Sequence, residues 1–326
     1  MDDDTAPTVT EPRGRLAGEV GESCRLDRAV GQLSGLSRRH AGRAIEAGGV
    51  YIDGRRCRLP GAPVRAGQTL EVWPDAERTA PDADLEVLME TPALWVVDKP
   101  AGLPSEPPRQ GGDALTLRLG ERYGVADVYT SHRLDRDASG LLAVARNPHT
   151  RVALDEALRA RTVQRGYLAL VRTWVAPVDV IIEEPLQTSR GRTSVAPWGA
   201  PARTRVAPLA FDAERGVALV AVRLETGRTH QARVHLAHAV GAIAGDHWYG
   251  DTGPKRGRVA LHAAWLRIPA GPDLPAVDVN QPPSPDFWAL ACSDGVSADL
   301  SLPQDWLSRL QAMHPGAVRN AESAGG

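Results

Sequence analysis

Apolar residues recur with a helical period near the start of the chain. Four of them, spaced three or four positions apart, predict a first helix: Leu26, Ala29, Val30 and Leu33. Ser37 has the side chain of a helix N-cap and begins a second helix, which Gly48-Gly49 ends. Short strands follow at residues 50–52 and 69–73, and Asp53-Gly54 is typical of a tight hairpin turn. This part of the chain is therefore predicted to be a small α/β domain.

The longer remainder of the chain mixes helical and strand periods. Strand-like apolar runs occupy residues 94–97, 141–145, 167–171 and 217–223. Helices are predicted over residues 150–160 and 229–240. Strands neither alternate regularly with helices nor dominate, which favours an α+β domain with a mixed, mostly antiparallel sheet and flanking helices.

Composition divides the chain into five segments. Residues 1–22 are polar and rich in Pro, Gly and acids, so we expect a disordered tail. Residues 23–73 are the small domain, and residues 74–84 have the Pro-, Ala- and Asp-rich composition of a linker. Residues 85–312 are the large domain, and the small, polar residues 313–326 predict a second disordered tail.

Charge is distributed unevenly along the chain. The formal net charge is −2, yet nine arginines and only four acids lie between Cys24 and Trp73, a local balance of +5. Local fields decide the attraction of nucleic acid more than the total charge does. The small domain is therefore a candidate for binding nucleic acid.

The rest of the composition limits the class of protein. The chain has no uninterrupted apolar run long enough to span a bilayer, and its acidic start, Met1 to Asp4, argues against a secretory signal or transit peptide. Its three cysteines are scattered, without a CxxC pair, which is typical of reduced thiols that bind no metal. We expect a cytoplasmic protein with no membrane segment.

The stretch from Ser131 to Leu142 carries the most informative chemistry. It presents Arg133, then Asp135, then a turn of small residues and an apolar strand. A nearby cation favours the charged form of a carboxylate, and an ionised carboxylate acts as a nucleophile or a base. A lone Asp in a loop is most often a turn residue, so its interpretation depends on the other segments.

A second informative segment spans residues 225–236. Thr229 is placed to cap a helix, and Arg228 and Arg233 lie near the start of that helix. Unpaired backbone N–H groups and the helix dipole add positive potential there. We expect this helix start to suit a phosphate, and its arginine to suit an active-site carboxylate.

Other kinds of site find little support in the sequence. Four histidines invite a metal interpretation, but they lack the HExxH spacing, a nearby thiol and a common helix face: His230, His235, His238 and His247. The carboxylate nearest Asp135 is Asp137, on the same turn, so a two-carboxylate glycosidase is unsupported. No P-loop, GxGxxG or GxSxG motif occurs.

The small domain resembles the RNA-binding module first described in ribosomal small-subunit protein four. The matching residues are 25–27, 37–39, 45–50, 52–55 and 64–68. In that family the Arg-rich second helix and the turn face RNA. The resemblance implies RNA-binding roles for four arginines: Arg38, Arg39, Arg43 and Arg55.

The large domain resembles the RluA-type pseudouridine synthase family, from about Leu85 to at least Leu266. Four segments carry the resemblance, in family order: residues 96–103, 131–142, 163–170 and 225–236. The family's usual Thr is replaced by Ala138, and a usual Lys by Arg165. Neither change touches the acid, the aromatic residue or the arginine near the helix start.

The resemblance implies isomerisation of uridine in RNA, with no metal and no cofactor. Asp135 would be the catalytic carboxylate, as nucleophile at the anomeric carbon or as base toward a ribose proton. Arg233 would pair with Asp135, and Tyr167 would stack on the flipped uracil. Arg133 would contact RNA or fill the gap left by the flipped base, and Arg228 would contact a phosphate.

Two other functions stay open at this point. One is a non-catalytic RNA-binding or ribosome-assembly factor on the same fold, and a more distant one is a carboxylate-dependent glycosidase. The expected partner is structured RNA, with ribosomal RNA favoured over transfer RNA by the appended RNA-binding module. The default expectation for the oligomeric state is a monomer.

Overall fold

The chain forms two compact units, each built from separated stretches of sequence. The structure is a computed structural model that describes residues 14–76, 85–125, 128–253, 257–291 and 300–313. The first unit contains residues 1–83 and 106–126, and the second contains residues 84–105 and 127–326. The chain therefore passes between the two units three times.

The first unit contains a packed pair of helices, a third helix and a small antiparallel sheet. Its elements are β1 (Leu16–Glu19), β2 (Cys24–Arg25), α1 (Leu26–Ser34), α2 (Arg38–Glu46), β3 (Val50–Ile52), β4 (Arg55–Arg56), β5 (Pro63–Val64), β6 (Thr69–Val72) and α3 (Leu115–Tyr123). The sheet order is β1-β6-β3-β4, and β2 pairs with β5. Fully buried apolar side chains from both helices and the strands form its core: Leu26, Val30, Ile45, Val50 and Val72.

Local signals of the first unit are confirmed. The Ser37 hydroxyl accepts a hydrogen bond from the backbone N–H of His40, as an N-cap does. Asp53 and Gly54 both have left-handed φ angles, 48° and 76°, between the paired strands β3 and β4. Two successive residues with positive φ are what a two-residue hairpin turn of this twist requires.

The prediction of a disordered tail through residue 22 is wrong for residues 16–19. These residues form β1, which pairs in register with β6 from Leu16–Val72 to Glu19–Thr69. The strand contains a single large apolar residue, Leu16, so its sequence alone gives little strand signal. Pairing along the edge of β6 satisfies its backbone groups instead. Residues 1–13 lie outside the described residues.

The second unit is built around one extended sheet. Its strands are β7 (Glu86–Glu90), β8 (Leu94–Lys99), β9 (Tyr129–Thr130), β10 (Ser139–Ala145), β11 (Gln164–Arg172), β12 (Val180–Ile182), β13 (Leu186–Ser189), β14 (Arg192–Val195), β15 (Thr204–Asp212), β16 (Val217–Leu224), β17 (Ala242–Ile243), β18 (Leu261–Ile268) and β19 (Val277–Asn280). Its helices are α4 (Pro148–Arg159), α5 (Gln231–Ala239), α6 (Pro285–Trp288) and α7 (Trp306–Ala312), with a short 3-10 turn at Ala289–Ala291.

The sheet topology confirms the α+β class. Its main path is β12-β15-β16-β11-β18-β10-β8-β7, with β9, β17 and β19 paired at its sides, and β13 and β14 form a separate hairpin. Within the described residues, β10 and β18 are the one parallel pair, and every other pair is antiparallel. Helix α4, predicted at residues 150–160, begins at Pro148 behind an Asn147 cap.

Close approach of β10 and β18 depends on Gly140. Its φ angle is 113°, and a Cβ at this position would lie 2.4 Å from the carbonyl oxygen of Ala263. Ala263 is in turn the cross-strand neighbour of Tyr167 on β11. Gly140, five residues after Asp135, and Tyr167 are thus two strand spacings apart, roughly 10 Å.

Residues 106–126 lie outside the unit predicted for them, because the predicted boundaries place all of 85–312 in one domain. They group with the first unit. Arg56 donates hydrogen bonds to the carbonyls of Pro107 and Pro108, both at 2.7 Å, and Gly112 N–H donates to the Ala47 carbonyl. These are contacts between residues far apart in sequence, so local patterns do not reveal them. The predicted linker falls largely on residues 77–84, outside the described residues.

Among the described residues, none of the helices has the length and apolar character needed to cross a membrane.

Candidate active site

Residues on both sides of Asp135 are fixed by buried polar groups. The Ser105 hydroxyl donates to the Leu134 carbonyl at 3.0 Å and accepts from the Leu134 N–H at 3.1 Å. The Lys99 ammonium, fully buried at the end of β8, donates to the Arg136 carbonyl at 3.1 Å. It also donates to the carbonyls of Pro100 and Leu103. The loop therefore offers the Asp135 side chain in a defined position.

Asp135 and Arg233 meet although 98 residues separate them in sequence. Arg233 Nη1 donates to Asp135 Oδ2 at 3.2 Å, and the Asp135 side chain keeps 27% of its surface exposed. This contact agrees with the pairing that the sequence predicted. The Asp135 carboxylate is thus both held by a guanidinium and open to an incoming ligand.

Arg233 is itself clamped by a second carboxylate. Its Nε and Nη2 donate to the two oxygens of Asp246, at 2.6 and 2.8 Å, and the Asp246 side chain is 1% exposed. Burial lowers the pKa of Arg233, but the hydrogen bonds and charges of Asp246 and Asp135 outweigh it and leave that pKa above its usual value. A bidentate pair of this kind fixes the guanidinium plane, so Nη1 points at Asp135.

His230 lies on the other side of the Asp135 carboxylate. Its Nε2 is 4.0 Å from Asp135 Oδ1, and its Nδ1 is 2.7 Å from the Tyr249 hydroxyl. That hydroxyl accepts a hydrogen bond from the Thr193 N–H, so its own proton is available for Nδ1. Burial lowers the pKa of His230, although the charge of Asp135 opposes the shift. With Nδ1 accepting from Tyr249, the proton of a neutral imidazole is on Nε2, which lies beyond hydrogen-bond distance of Asp135 Oδ1.

The start of α5 differs from the prediction. Thr229 does not cap the helix, because α5 begins at Gln231 with His230 as N-cap residue in the left-handed conformation, φ 53°. The buried Gln231 side chain holds the preceding turn instead, accepting from Thr226 Oγ1 and from the Arg228 N–H. A positive φ is uncommon for His and is found at sites where surrounding contacts fix the backbone.

Tyr167 is buried near the start of β11, 4% exposed, at a register shift between Gly166 and Tyr167. In the described part of the chain no hydrogen bond joins its hydroxyl to Asp135. The structure therefore brings Asp135 and Arg233 into direct contact and leaves Tyr167 on β11, which β18 separates from the strand that follows Asp135.

The remaining predicted RNA contacts are surface residues. Arg133 is exposed two positions before Asp135, and Arg228 is exposed with its Nε donating to the Pro201 carbonyl at 3.1 Å. In the first unit the predicted arginines are also exposed: Arg38, Arg39, Arg43 and Arg55. Arg38 pairs with Asp27 at 3.1 Å. Hydrogen bonds from Arg25 and Arg38 lower the pKa of Asp27 to about 2, against its burial.

The histidines considered for a metal serve separate contacts. His235 is buried, with Nδ1 on Thr204 Oγ1 at 2.8 Å and Nε2 on the Glu184 carbonyl at 2.9 Å. His238 is exposed on α5, and His247 Nδ1 donates to the Asp251 carbonyl. Within the described ranges, no group of three or more His, Cys, Asp or Glu side chains is arranged to hold a metal ion.

Sequence reasoning missed several residues of this site. Sequence patterns indicate no role there for four residues that each contact Asp135, its loop or its partners: Lys99, His230, Asp246 and Tyr249. The segment Gly245-Asp246-His247-Trp248-Tyr249-Gly250 follows the helix after a short interval. Asp246 is the one acid of this segment, which glycines begin and end, and that pattern indicates a turn carboxylate able to pair with Arg233.

Comparisons with known proteins identify the family of the chain. Residues 93–238 match the family model described as RNA pseudouridylate synthase, and residues 24–70 match the S4 domain model. The "Ribosomal large subunit pseudouridine synthase D" of Xanthomonas campestris pv. campestris is 34% identical, over 99% of both chains. The chain belongs to the RNA pseudouridylate synthase family. It is an isomerase that converts uridine in RNA to pseudouridine, and its first unit contains an S4 domain.

Other relatives support the assignment of the chain to this family. The "Ribosomal large subunit pseudouridine synthase D" of Yersinia pestis is 31% identical over 78% of this chain and 86% of its own. An "Uncharacterized RNA pseudouridine synthase" of Chloroflexus aurantiacus is 37% identical over 75% of this chain and 81% of its own. The solved structure of "Human RNA Pseudouridylate Synthase Domain Containing 1" is 25% identical with a TM-score of 0.58, over 72% of this chain and 97% of its own.

Proposed function

We propose that this synthase modifies uridine in large-subunit ribosomal RNA, with Asp135 as its catalytic carboxylate. Relatives whose names specify that RNA align over most or nearly all of the chain. One observation carries the catalytic assignment: the Asp135 carboxylate is partly exposed and forms an ion pair with Arg233. Asp246 in turn binds the guanidinium of Arg233 and fixes its position.

Chemistry at Asp135 follows from the bonds that change. The bond between ribose and a ring nitrogen breaks, a bond to a ring carbon forms, and one proton moves from that carbon to the nitrogen. The reaction is redox-neutral, so it requires no electron donor or acceptor. The Asp135 carboxylate supplies the reactive group, either as nucleophile at the anomeric carbon or as base toward a ribose proton. Arg233 keeps the carboxylate charged and oriented in either case.

Reaching the carboxylate requires the uridine to leave its stack. Tyr167 stacks on the flipped uracil in this proposal, and Arg133 and Arg228 contact the RNA backbone as exposed cations. The exposed arginines of α2 and of the β3–β4 turn add electrostatic affinity from the S4 domain. The enzyme acts as a cytoplasmic monomer on RNA.

The test compares Asp135→Asn with wild type in cells that lack the gene. Carbodiimide labelling and reverse transcription map pseudouridines across total RNA, and the modified position identifies the substrate. We expect the Asn variant to restore no site while binding the RNA with an affinity within about twofold of wild type. Asp137→Asn, on the same loop and paired with Arg136, is the matched control and should restore modification.

Three outcomes contradict the proposal or a part of it. Normal modification by Asp135→Asn would remove that residue from catalysis. Wild-type protein that binds ribosomal RNA while changing no uridine would favour a non-catalytic assembly factor on the same fold. A modified site in transfer RNA alone would overturn the ribosomal substrate and leave the catalytic role intact.

A further inference from the structure

An exposed indole lies at the rim of the candidate active site. The Trp248 residue is 57% exposed, and its ring meets the His230 ring edge-on, with 5.9 Å between centroids and 72° between planes. His230 in turn lies 4.0 Å from the Asp135 carboxylate. One imidazole therefore separates Trp248 from the proposed catalytic group.

Trp248 belongs to a turn that also contains Asp246, the carboxylate partner of Arg233. Asp246, two residues earlier, clamps Arg233, and the Tyr249 N–H donates to the Asp246 carbonyl at 3.1 Å. The Trp248 carbonyl accepts a hydrogen bond from Arg192 Nη2 at 2.9 Å. The backbone that bears the indole is thus fixed, although more than half of the residue faces solvent.

An exposed guanidinium lies beside the backbone that bears the indole. Arg192 begins β14, which packs against α5, and Arg190 and Gly191 form the tip of the β13–β14 hairpin with φ angles of 48° and 82°. Arg190 and Arg192 are both exposed. An aromatic face beside exposed guanidinium groups suits single-stranded nucleic acid, because bases stack on the ring and phosphates attract the cations.

Extrusion of the target base explains what an exposed aromatic ring would do at this position. When a uridine leaves the stack, the base beside it loses a stacking partner and exposes an apolar surface. A fixed aromatic ring next to the extruded nucleoside replaces that lost contact. We propose that Trp248 stacks on the base adjacent to the target uridine, with Arg192 near the adjoining phosphate, and so strengthens binding of the RNA around the extruded nucleoside. This inference rests on the proposed role of Asp135, because it takes that carboxylate as the position of the extruded uridine.

The experiment removes the two proposed partners separately and together. Its substrate is a synthetic RNA stem-loop that carries the uridine mapped for the wild-type enzyme, with each neighbouring nucleotide either natural or abasic. Single-turnover rates are measured across enzyme concentration for wild type, Trp248→Phe and Trp248→Ala. Trp174→Ala is the control, since Trp174 is 76% exposed and lies beyond the other end of β11.

On the natural RNA, Trp248→Ala should raise the half-saturating concentration roughly tenfold while changing the maximal rate by less than about twofold. Trp248→Phe retains a stacking face and should recover most of the loss, and Trp174→Ala should match wild type. On the RNA whose stacked neighbour is abasic, wild type should show the same loss, and Trp248→Ala should add nothing to it.

Equal losses on natural and abasic RNA would indicate that Trp248 only supports His230, and would overturn the inference. Wild-type behaviour of Trp248→Ala, or an equal loss from Trp174→Ala, would also overturn it. Failure of the proposed function has a different signature, because wild-type enzyme would then form no pseudouridine or Asp135→Asn would remain active.

Discussion

The buried ammonium of Lys99 holds the backbone of Arg136, the residue that follows Asp135. Lys99 Nζ and the Gly102 N–H converge on the Arg136 carbonyl, at 3.1 and 2.8 Å. The end of β8 therefore fixes the loop that bears the proposed catalytic carboxylate, from a strand adjacent to β10.

Replacing Lys99 with Met should loosen this loop. The substitution keeps much of the side-chain volume but leaves the carbonyls of Pro100 and Leu103 without the Lys99 donor, while the Arg136 carbonyl keeps the Gly102 N–H. Each group left unsatisfied costs roughly 1–3 kcal/mol. We expect a lower midpoint of thermal unfolding and a kcat reduced roughly tenfold, with a smaller change in KM. Calorimetry and single-turnover kinetics measure both effects. Arg136→Ala preserves the carbonyl and should keep the unfolding midpoint; an unchanged kcat in Lys99→Met would refute the positioning role.

Removing the charge of Asp246 should disturb Asp135 through Arg233. In Asp246→Asn the buried guanidinium keeps one carboxylate partner, and losing one member of a buried pair costs about 3–5 kcal/mol. We expect kcat to fall by roughly two orders of magnitude, with RNA affinity nearly unchanged. Glu183→Gln breaks the exposed Glu183–Arg203 pair and should change neither stability nor rate. Equal effects of both substitutions would argue against the clamp.

Stability should fall in mild acid because of buried His262. Burial and the charge of Arg258 lower the pKa of His262 to about 4, although its hydrogen bond to the Gln281 carbonyl opposes the shift. Between pH 6.5 and 4 the unfolded chain binds more protons than the folded one, so the free energy of unfolding decreases as pH falls. This group contributes about 3 kcal/mol across that interval.

Unfolding measured at several pH values should show a shallower acid slope for His262→Gln than for wild type. His238→Gln alters an exposed histidine of α5 and should retain the wild-type slope. Parallel slopes for wild type and His262→Gln would assign the acid sensitivity to other groups.

The S4 domain should contribute to the salt dependence of RNA binding. Arg39 and Arg43 are exposed on α2, and each phosphate contact adds about one unit to the slope of log affinity against log salt. The double variant Arg39→Gln, Arg43→Gln should bind more weakly at low salt, with a slope lower by about two. Titrations of ribosomal RNA at several salt concentrations measure the slope. The pair Arg159→Gln, Arg161→Gln, exposed near the end of α4, is the control, and equal slopes for all three proteins would exclude α2 from the interface.

Short-range signals explain the parts of the structure that the sequence predicted. Ser37 and Asp53-Gly54 act within a few residues of themselves, so their roles can be read locally. The pairing of Asp135 with Arg233 joins residues 98 positions apart, and the sequence indicates it because family motifs surround both residues. Its geometry is still a product of the sheet, which brings the two segments together.

Long-range contacts account for what the sequence did not reveal. β1 has one large apolar residue and depends on the edge of β6. Gln231, which holds the turn before α5 where a Thr229 cap was expected, is itself held by a hydrogen bond to the Thr204 hydroxyl on β15. The clamp of Asp246 on Arg233 joins a helix to a turn, and no periodicity marks it. In each case the decisive partner lies on another element, where spacing along the chain carries no information.

The threefold passage of the chain between its two units bears on the order in which they assemble during synthesis. Residues 106–126 complete the first unit, and Arg56 finds its carbonyl partners only at Pro107 and Pro108. The ribosome therefore releases β7 and β8, which belong to the catalytic sheet, before the S4-containing unit has all of its chain. Strands β7 and β8 must remain unpaired with the rest of their sheet until the first unit has been synthesised in full. The two units therefore cannot fold strictly one after the other.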